Sequence, residues 1–270
     1  MSAGRGEAAW WRAAAVHAAA ERAAAEASAA LRAAGVAHVV IKGLAASRVL
    51  YDDPLARPFN DVDVFVAWRS LPAACRALAA AGLRESAQFR SLHTAMFRPR
   101  LPGGPDVDVQ GWLGYALLPR GGVAALCARA RLVEGGGGGR FPVLDPLDAG
   151  CVSALYAVRE RLRPGAATLL ADVERAVGRA GAGALGARAD ELGLRAFVDV
   201  ALSALGREAP PAAARRARAL PWLDRRRPRG MTALPALLAS PPRRALASFA
   251  ASALVFGAEH AGRAARRVRE

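Results

Sequence analysis

The stretch HVVIKGLAASRVLYDDPLARPFNDVDVFV, residues 38–66, decides how this chain is expected to fold. It contains the only lysine, isoleucine and asparagine of the 270 residues, at Lys42, Ile41 and Asn60. Of the 38 basic residues, all except Lys42 are arginine. The two cations differ in shape and hydration, so a single lysine in an arginine-rich chain indicates that a compact ammonium is needed there, the alternative being that the lysine is present by chance.

The segment DVDVFVAW alternates as a β-strand does, with Asp61 and Asp63 on one face and valines on the other. Two carboxylates at this spacing point the same way, with their Cα atoms about 6–7 Å apart. Such a pair can hold Mg²⁺, which prefers oxygen ligands and is often shared with substrate phosphates. Taken alone, the motif is equally compatible with a turn cap or with pairing to arginine.

A second alternating segment, DVDVQGW, places Asp106, Asp108 and Gln110 on a common face. A carboxylate from this strand would complete a site for two metal ions about 3.5–4 Å apart. Asp108 is the preferred third carboxylate, with Asp106 as the alternative.

Upstream, VVIKGLAAS predicts a strand, a Lys-Gly break and the start of a helix. The positive end of a helix and its free N–H groups favour an anion. Gly43 would allow close approach of the backbone, and Lys42 adds a charge suited to phosphate. Because this element precedes the acidic strand, with Arg57 between them, the combination indicates a phosphate-binding site.

The chain carries a net charge of +15, which favours an anionic partner through long-range attraction. Its arginines are spread over several segments rather than gathered in one basic arm, so the charge does not identify the anion. No segment has the length and apolar character of a membrane span, and three widely spaced cysteines are typical of a reducing compartment. We therefore expect no membrane span and a cytoplasmic location.

The expected organisation has three parts: an N-terminal helix (residues 1–35), a catalytic domain with strands (36–145), and a helical domain with a basic C-terminal tail (146–270). Within the last part, helices are predicted at residues 146–161, 166–180, 183–192 and 195–206. The run EGGGGGR, residues 134–140, is interpreted as a flexible connector or a loop tip. In the helical part, Asp172 is expected to pair with an arginine rather than to bind metal.

The order of these elements resembles a bacterial family usually described as uncharacterised nucleotidyltransferases. Its pattern is a hydrophobic strand, Lys-Gly, a helix ending in Tyr, an Arg-Pro pair, and an Asp-hydrophobic-Asp strand ending in Val. The matching residues are Lys42, Gly43, Tyr51, Arg57, Pro58, Asp61, Asp63 and Val66. The resemblance extends more loosely over residues 36–206.

This resemblance implies the DNA polymerase β-like nucleotidyltransferase fold, of class α/β (more strictly α+β). That fold has a small mixed β-sheet with flanking helices, here followed by an all-helical C-terminal domain. It also implies transfer of an NMP from an NTP, such as ATP, to an unidentified acceptor hydroxyl of a small molecule, peptide or protein. The residues implied to hold catalytic Mg²⁺ or Mn²⁺ are Asp61, Asp63 and Asp108. Those expected to hold the nucleotide are Lys42, Gly43, Ser47 and Arg57.

Two departures from the pattern are visible. The wider superfamily usually has Gly-Ser or Gly-Gly where this chain has Lys42 and Gly43. The contacts that this chain makes with substrate phosphates must therefore differ in detail. The family often has His two residues after the third aspartate, where this chain has Gln110. The choice of Asp108 over Asp106 rests on the fit of VDVQ to the family's Val-Asp-Leu-His.

Two other functions stay open. Abortive-infection toxins have a related Lys-Gly and Asp-x-Asp layout, so the acceptor could be RNA, for example a tRNA end, and the net charge of +15 suits that partner. Alternatively, the chain could be a catalytically weak scaffold that only holds a nucleotide or a partner. The intact set of acidic residues argues against the scaffold.

Overall fold

The computed structural model describes residues 3–86, 94–98, 104–111, 113, 121–160, 162 and 164–219. The predicted basic C-terminal tail lies outside the described residues, from position 220 onward. Within them, no helix is long and apolar enough to cross a membrane.

The centre of the fold is a mixed β-sheet, which has seven strands in the described part of the chain. Its strands are β1 (His38–Ile41), β2 (Val62–Val66), β3 (Arg84–Glu85), β4 (Thr94–Arg98), β5 (Val107–Gln110), β6 (Arg131–Glu134) and β7 (Arg140–Val143). They lie in the order β3-β4-β5-β2-β1-β7-β6. β1 is antiparallel to β2 and parallel to β7, and β2 is parallel to β5. The small mixed sheet expected from the sequence is confirmed.

Helices flank this sheet and fill the C-terminal part of the described chain. They are α1 (Ala3–Ala33), α2 (Lys42–Leu50), α3 (Leu71–Ala80), α4 (Gly122–Arg129), α5 (Pro146–Arg159), α6 (Ala167–Ala180), α7 (Ala182–Leu192), α8 (Arg195–Ala204) and α9 (Pro211–Ala219). The predicted N-terminal helix and the four helices predicted between residues 146 and 206 are confirmed, with ends that differ by a few residues.

The glycine run is the turn of a β-hairpin formed by β6 and β7. The amide of Gly135 donates to the carbonyl of Gly139, and Gly137 and Gly138 have φ of 86° and 78°, which a residue with a side chain adopts poorly. A loop tip is thus confirmed, but the sequence did not predict the two strands beside it. β6 is mostly exposed and lacks apolar alternation, and Pro142 within β7 lowers its strand propensity.

Among the residues that the structure describes, one hydrophobic core joins the sheet to the helices. Every residue of β1 and β2 is buried, because helices cover the sheet there. The same cluster contains Ile41 and Val64 from the sheet and Val152 and Phe197 from the helical part. α2 packs directly against α5, so the helical part lies beside the Lys-Gly segment. The domain boundary near residue 145 stays a prediction.

Candidate active site

Two neighbouring strands bring the predicted carboxylates together. β2 and β5 are parallel, and their register pairs Asp63 with Asp108, so both side chains leave the sheet on the same face. Asp61 lies two residues before Asp63, at the entrance to β2, and the strand alternation carries it to that face as well. All three carboxylates therefore share one face at the beginning of β2 and β5.

An amide side chain holds the two paired carboxylates. The Nε2 group of Gln110 donates to Oδ1 of Asp63 at 2.6 Å and to Oδ2 of Asp108 at 2.8 Å. The hydroxyl of Thr94, on β4, donates to the other oxygen of Asp108. Because these donors come from adjacent strands, the sheet itself fixes the orientation of both carboxylates.

Lys42, the first residue of α2, reaches the same cluster directly after the end of β1. The antiparallel register of β1 and β2 places Ile41 opposite Asp63, so the next residue, Lys42, forms an ion pair with Asp63. The ammonium also lies over the ring of Tyr156, with Nζ 4.5 Å from the ring centroid. Burial alone would lower the pKa of Lys42, but the charge of Asp63 raises it above its ordinary value, so the lysine is a fixed positive charge.

The backbone of Lys42 has a φ of +54°, in the left-handed region that glycine adopts without cost. A residue with a side chain adopts this conformation only at an energetic cost. Here the chain places a lysine in a glycine-like conformation, and the ammonium gained there is directed at Asp63.

The carboxylates repel one another in a buried setting. Burial raises the pKa of Asp63 to about 7, and the charges of Asp61 and Asp108 add to that effect while Lys42 opposes it. Burial likewise raises the pKa of Asp61, with Lys42 lowering it and Asp108 raising it. With one lysine facing three acidic residues, the cluster favours an additional cation.

The geometry of β5 bears on whether Asp106 or Asp108 is the third carboxylate of the cluster. Asp108 pairs with Asp63 in the strand register and shares a hydrogen-bonded amide with it. Asp106 lies before β5, and its charge acts on Asp61 less than that of Asp108 does. The arrangement thus favours Asp108 as the third carboxylate, although the assignment stays a prediction.

Two predicted nucleotide-binding residues, Gly43 and Ser47, are buried residues of α2. A Cβ added to Gly43 would come within 2.5 Å of Cβ of Phe59, so the glycine permits this side chain to approach. The hydroxyl of Ser47 is buried and donates to the carbonyl of Leu44 at 2.8 Å, within the helix. The structure does not bring Ser47 to the carboxylate cluster.

Arg57 also lies away from the cluster. Its guanidinium forms a two-point ion pair with Asp172, with Nε and Nη2 at 3.1 and 2.8 Å from the two carboxylate oxygens. The hydroxyls of Tyr51 and Ser153 donate to the same carboxylate, at 2.9 and 3.0 Å. The prediction that Asp172 pairs with an arginine is confirmed. This buried network joins the Arg-Pro segment to α5 and α6, which gives Arg57 a structural role.

The donors of the cluster suit a hard divalent cation, since Mg²⁺ prefers carboxylate oxygens and is usually bound by one or two of them together with phosphates. Within the described residues, however, no three His, Cys, Asp or Glu side chains converge closely enough to hold a metal ion by themselves. The cluster therefore fits such an ion in charge and donor type, with the remaining ligands left to substrate and water.

Three residues that the structure places at the cluster were not assigned to it from the sequence. Gln110 was placed on the same strand face as Asp108 and noted as a departure from the family pattern, but no role in the site was assigned to it. Thr94 lies opposite Gln110 on β4. Tyr156 lies on α5, more than a hundred residues from Lys42, so nothing local in the sequence signals its contact with the site.

Comparison with solved structures found proteins that are similar to parts of this chain. The solution structure of the antibiotic-resistance factor ANT(2'')-Ia is similar with 15% identity and a TM-score of 0.43, covering 67% of this chain and 91% of that one. A nucleotidyltransferase-like protein from Paracoccidioides brasiliensis is similar with 13% identity and a TM-score of 0.38, covering 58% and 73%. Among curated protein sequences, none matches the chain significantly.

The model of a protein family described as uncharacterised nucleotidyltransferase matches residues 7–207 of the 270. This match defines the class of the protein as a nucleotidyltransferase, an enzyme of the transferase type. The chain belongs to the uncharacterised nucleotidyltransferase family.

Proposed function

We propose that the chain is a metal-dependent enzyme that moves an NMP from an NTP to the hydroxyl of a small molecule, peptide or protein. The observation that supports this most directly is the pairing of Asp63 with Asp108 across β2 and β5, with Lys42 beside Asp63. A fixed cation next to paired carboxylates is the combination that binding a metal-complexed triphosphate requires.

In this proposal, Asp61, Asp63 and Asp108 would hold Mg²⁺ or Mn²⁺, which supplies charge neutralisation and polarises the phosphate when bound. Thr94 and Gln110 hold Asp108 in one orientation, and Gln110 and Lys42 do the same for Asp63. The chain thus provides pre-positioned donors, which is the main protein contribution to transfer reactions of this kind.

The triphosphate would be held by Lys42 and by the first amides of α2. No described side chain caps the beginning of this helix, so those N–H groups and the positive end of the helix can face an anion. The proposal assigns the triphosphate to Lys42 and these amides rather than to Ser47 and Arg57, because the polar groups of those two residues form hydrogen bonds within the fold.

The transfer step forms a bond between the acceptor oxygen and the α-phosphorus and breaks the bond from that phosphorus to the β-phosphate oxygen, so pyrophosphate leaves. The proton of the acceptor hydroxyl passes to Asp108, which is only half-buried and acts as the base. Lys42 balances the charge that develops on the leaving group.

A second candidate keeps the chemistry and makes RNA the acceptor, which the net charge of +15 favours. The two differ in salt dependence, since RNA binding weakens steeply as salt rises. The bacterial origin, the cytoplasmic location and the use of ATP in particular also belong to the proposal.

The test is calorimetric titration of each NTP with Mg²⁺ or Mn²⁺ against the native protein, Lys42→Arg and Asp63→Asn. Metal-dependent binding of an NTP that both substitutions weaken supports the proposal. The matched control is Asp52→Asn, because Asp52 is fully exposed and pairs with Arg179 away from the cluster. A folded native protein that binds no NTP in either metal would refute the proposal and favour a scaffold.

A further inference from the structure

Tyr156, on α5 in the helical part of the fold, contacts the candidate active site at two residues. Its hydroxyl donates to Oε1 of Gln110 at 2.7 Å, and its ring lies under the ammonium of Lys42 at 4.5 Å. The side chain is nearly fully buried, at 3% exposed, and belongs to α5. It therefore contacts the two residues that contact Asp63.

The hydroxyl decides which way the Gln110 amide points. An amide has one acceptor oxygen and one NH₂ group with two donors. In the observed orientation, the NH₂ group faces Asp63 and Asp108 and the oxygen faces the hydroxyl of Tyr156. The flipped orientation would set the amide oxygen against two carboxylate oxygens. No hydrogen-bond donor would then lie between these acceptors, so the flipped orientation is unfavourable.

The ring has a separate effect on Lys42. A cation over an aromatic face is attracted by the ring, more strongly when it is shielded from water. The side chain of Lys42 is 18% exposed, and the contacts described for it are the ion pair with Asp63 and the ring of Tyr156. Without the ring, the ion pair alone of these two would hold the ammonium. Phenylalanine at position 156 retains this face and loses only the hydroxyl, so the two effects can be separated.

We propose that Tyr156 is a positioning residue of the nucleotidyl-transfer site, which acts through Gln110 to hold Asp63 and Asp108 ready for a divalent cation. The inference rests on the proposed function, because it assigns to those carboxylates the task of binding metal. It also gives the helical half a part in assembling the metal site.

The first experiment measures Mn²⁺ binding by calorimetry in the native protein and in Tyr156→Phe, with the ion supplied as its complex with the NTP that binds best. Loss of a group that orients a metal ligand typically weakens metal binding about 10- to 100-fold, and we expect a loss in that range. Tyr51→Phe is the matched control, because its hydroxyl also donates to a buried carboxylate, that of Asp172, outside the cluster. Unchanged Mn²⁺ affinity in Tyr156→Phe, with the native protein binding, overturns the inference.

A double-substitution cycle tests whether Tyr156 acts through Gln110. Gln110→Leu removes the amide, so Tyr156→Phe should have little additional effect on Mn²⁺ affinity in that background. Independent, additive losses would show that the tyrosine acts by another route and would overturn the proposal. With metal and nucleotide saturating, and with kcat calculated per folded enzyme from the unfolding curve of each variant, Tyr156→Phe should lower kcat more than it raises KM.

A metal-free readout separates failure of this inference from failure of the proposed function. The chain has only two glutamines, Gln88 and Gln110, so the side-chain NH₂ signals of Gln110 can be assigned by NMR from the Gln110→Leu spectrum. In the native protein they should exchange slowly with solvent, and Tyr156→Phe should accelerate that exchange while Tyr51→Phe does not. Fast exchange in the native protein overturns the inference whether or not any metal binds.

Discussion

Removing the carboxylate of Asp172 should destabilise the fold more than most single substitutions. The side chain is 0% exposed and receives hydrogen bonds from Arg57, Tyr51 and Ser153. Asp172→Ala leaves the Arg57 guanidinium, 7% exposed, as a buried charge without this partner. Breaking a buried ion pair on one side typically costs about 3–5 kcal/mol.

The assay is urea unfolding followed by circular dichroism. With a denaturant slope of about 3 kcal/mol/M, the expected loss corresponds to a midpoint lowered by about 1–1.7 M. The matched control is Asp52→Ala, which also removes a carboxylate paired with an arginine, Arg179, but at a fully exposed position. Its midpoint should stay close to that of the native protein.

A double substitution distinguishes the stranded charge from simple loss of contacts. Arg57→Leu combined with Asp172→Ala removes both charges, so the double variant should be more stable than Asp172→Ala alone. It should not regain native stability, because the hydroxyls of Tyr51 and Ser153 lose their acceptor. A loss below about 1 kcal/mol in Asp172→Ala, the range of an exposed pair, would refute this reasoning.

Four further outcomes are expected. Lys42→Gly should be more stable to urea than Lys42→Ala by about 0.5–1 kcal/mol, because φ at this position is +54°; equal stabilities would contradict that. Gly43→Ala should lose about 1–3 kcal/mol in the same assay, since its Cβ would lie 2.5 Å from Phe59, and a neutral effect would contradict that packing. Mg²⁺ with NTP should stabilise the native protein by about 2.7 kcal/mol when the Mg²⁺–NTP concentration is one hundred times its Kd, which raises the melting temperature. In Asp63→Asn the rise in melting temperature should be smaller, and an equal rise would exclude Asp63 as a ligand. Arg57→Lys should lower the unfolding midpoint without weakening NTP binding to the folded protein, whereas weaker binding would return Arg57 to the phosphate site.

The local elements could be predicted because their signals lie within a few residues. Alternation in DVDVFV and DVDVQ gave the two acidic strands, and the helices after residue 146 followed from apolar spacing. β6 gave no such signal, because it is short and exposed and is held by pairing with β7 rather than by a buried face of its own.

The site was predictable to the extent that strand alternation orients side chains. Asp61 and Asp63 could be placed on one face, and Asp106 and Asp108 on one face of the other strand, from their spacing, and Lys42 could be placed from its position directly after a strand. Arg57 could not be placed in this way. Whether it turns towards a phosphate or towards Asp172 depends on where α6 packs, which no local pattern encodes.

The sequence by itself determined the class of fold, the acidic pair and the single lysine, since these depend on composition and on periodicity along one strand. Only the tertiary structure decided which groups hold them: the register of β2 and β5 that sets Asp63 beside Asp108, and the packing of α5 that brings Tyr156 to Gln110 and Lys42. These contacts join residues far apart in the chain, and they form only when burial of the shared core docks the helices on the sheet.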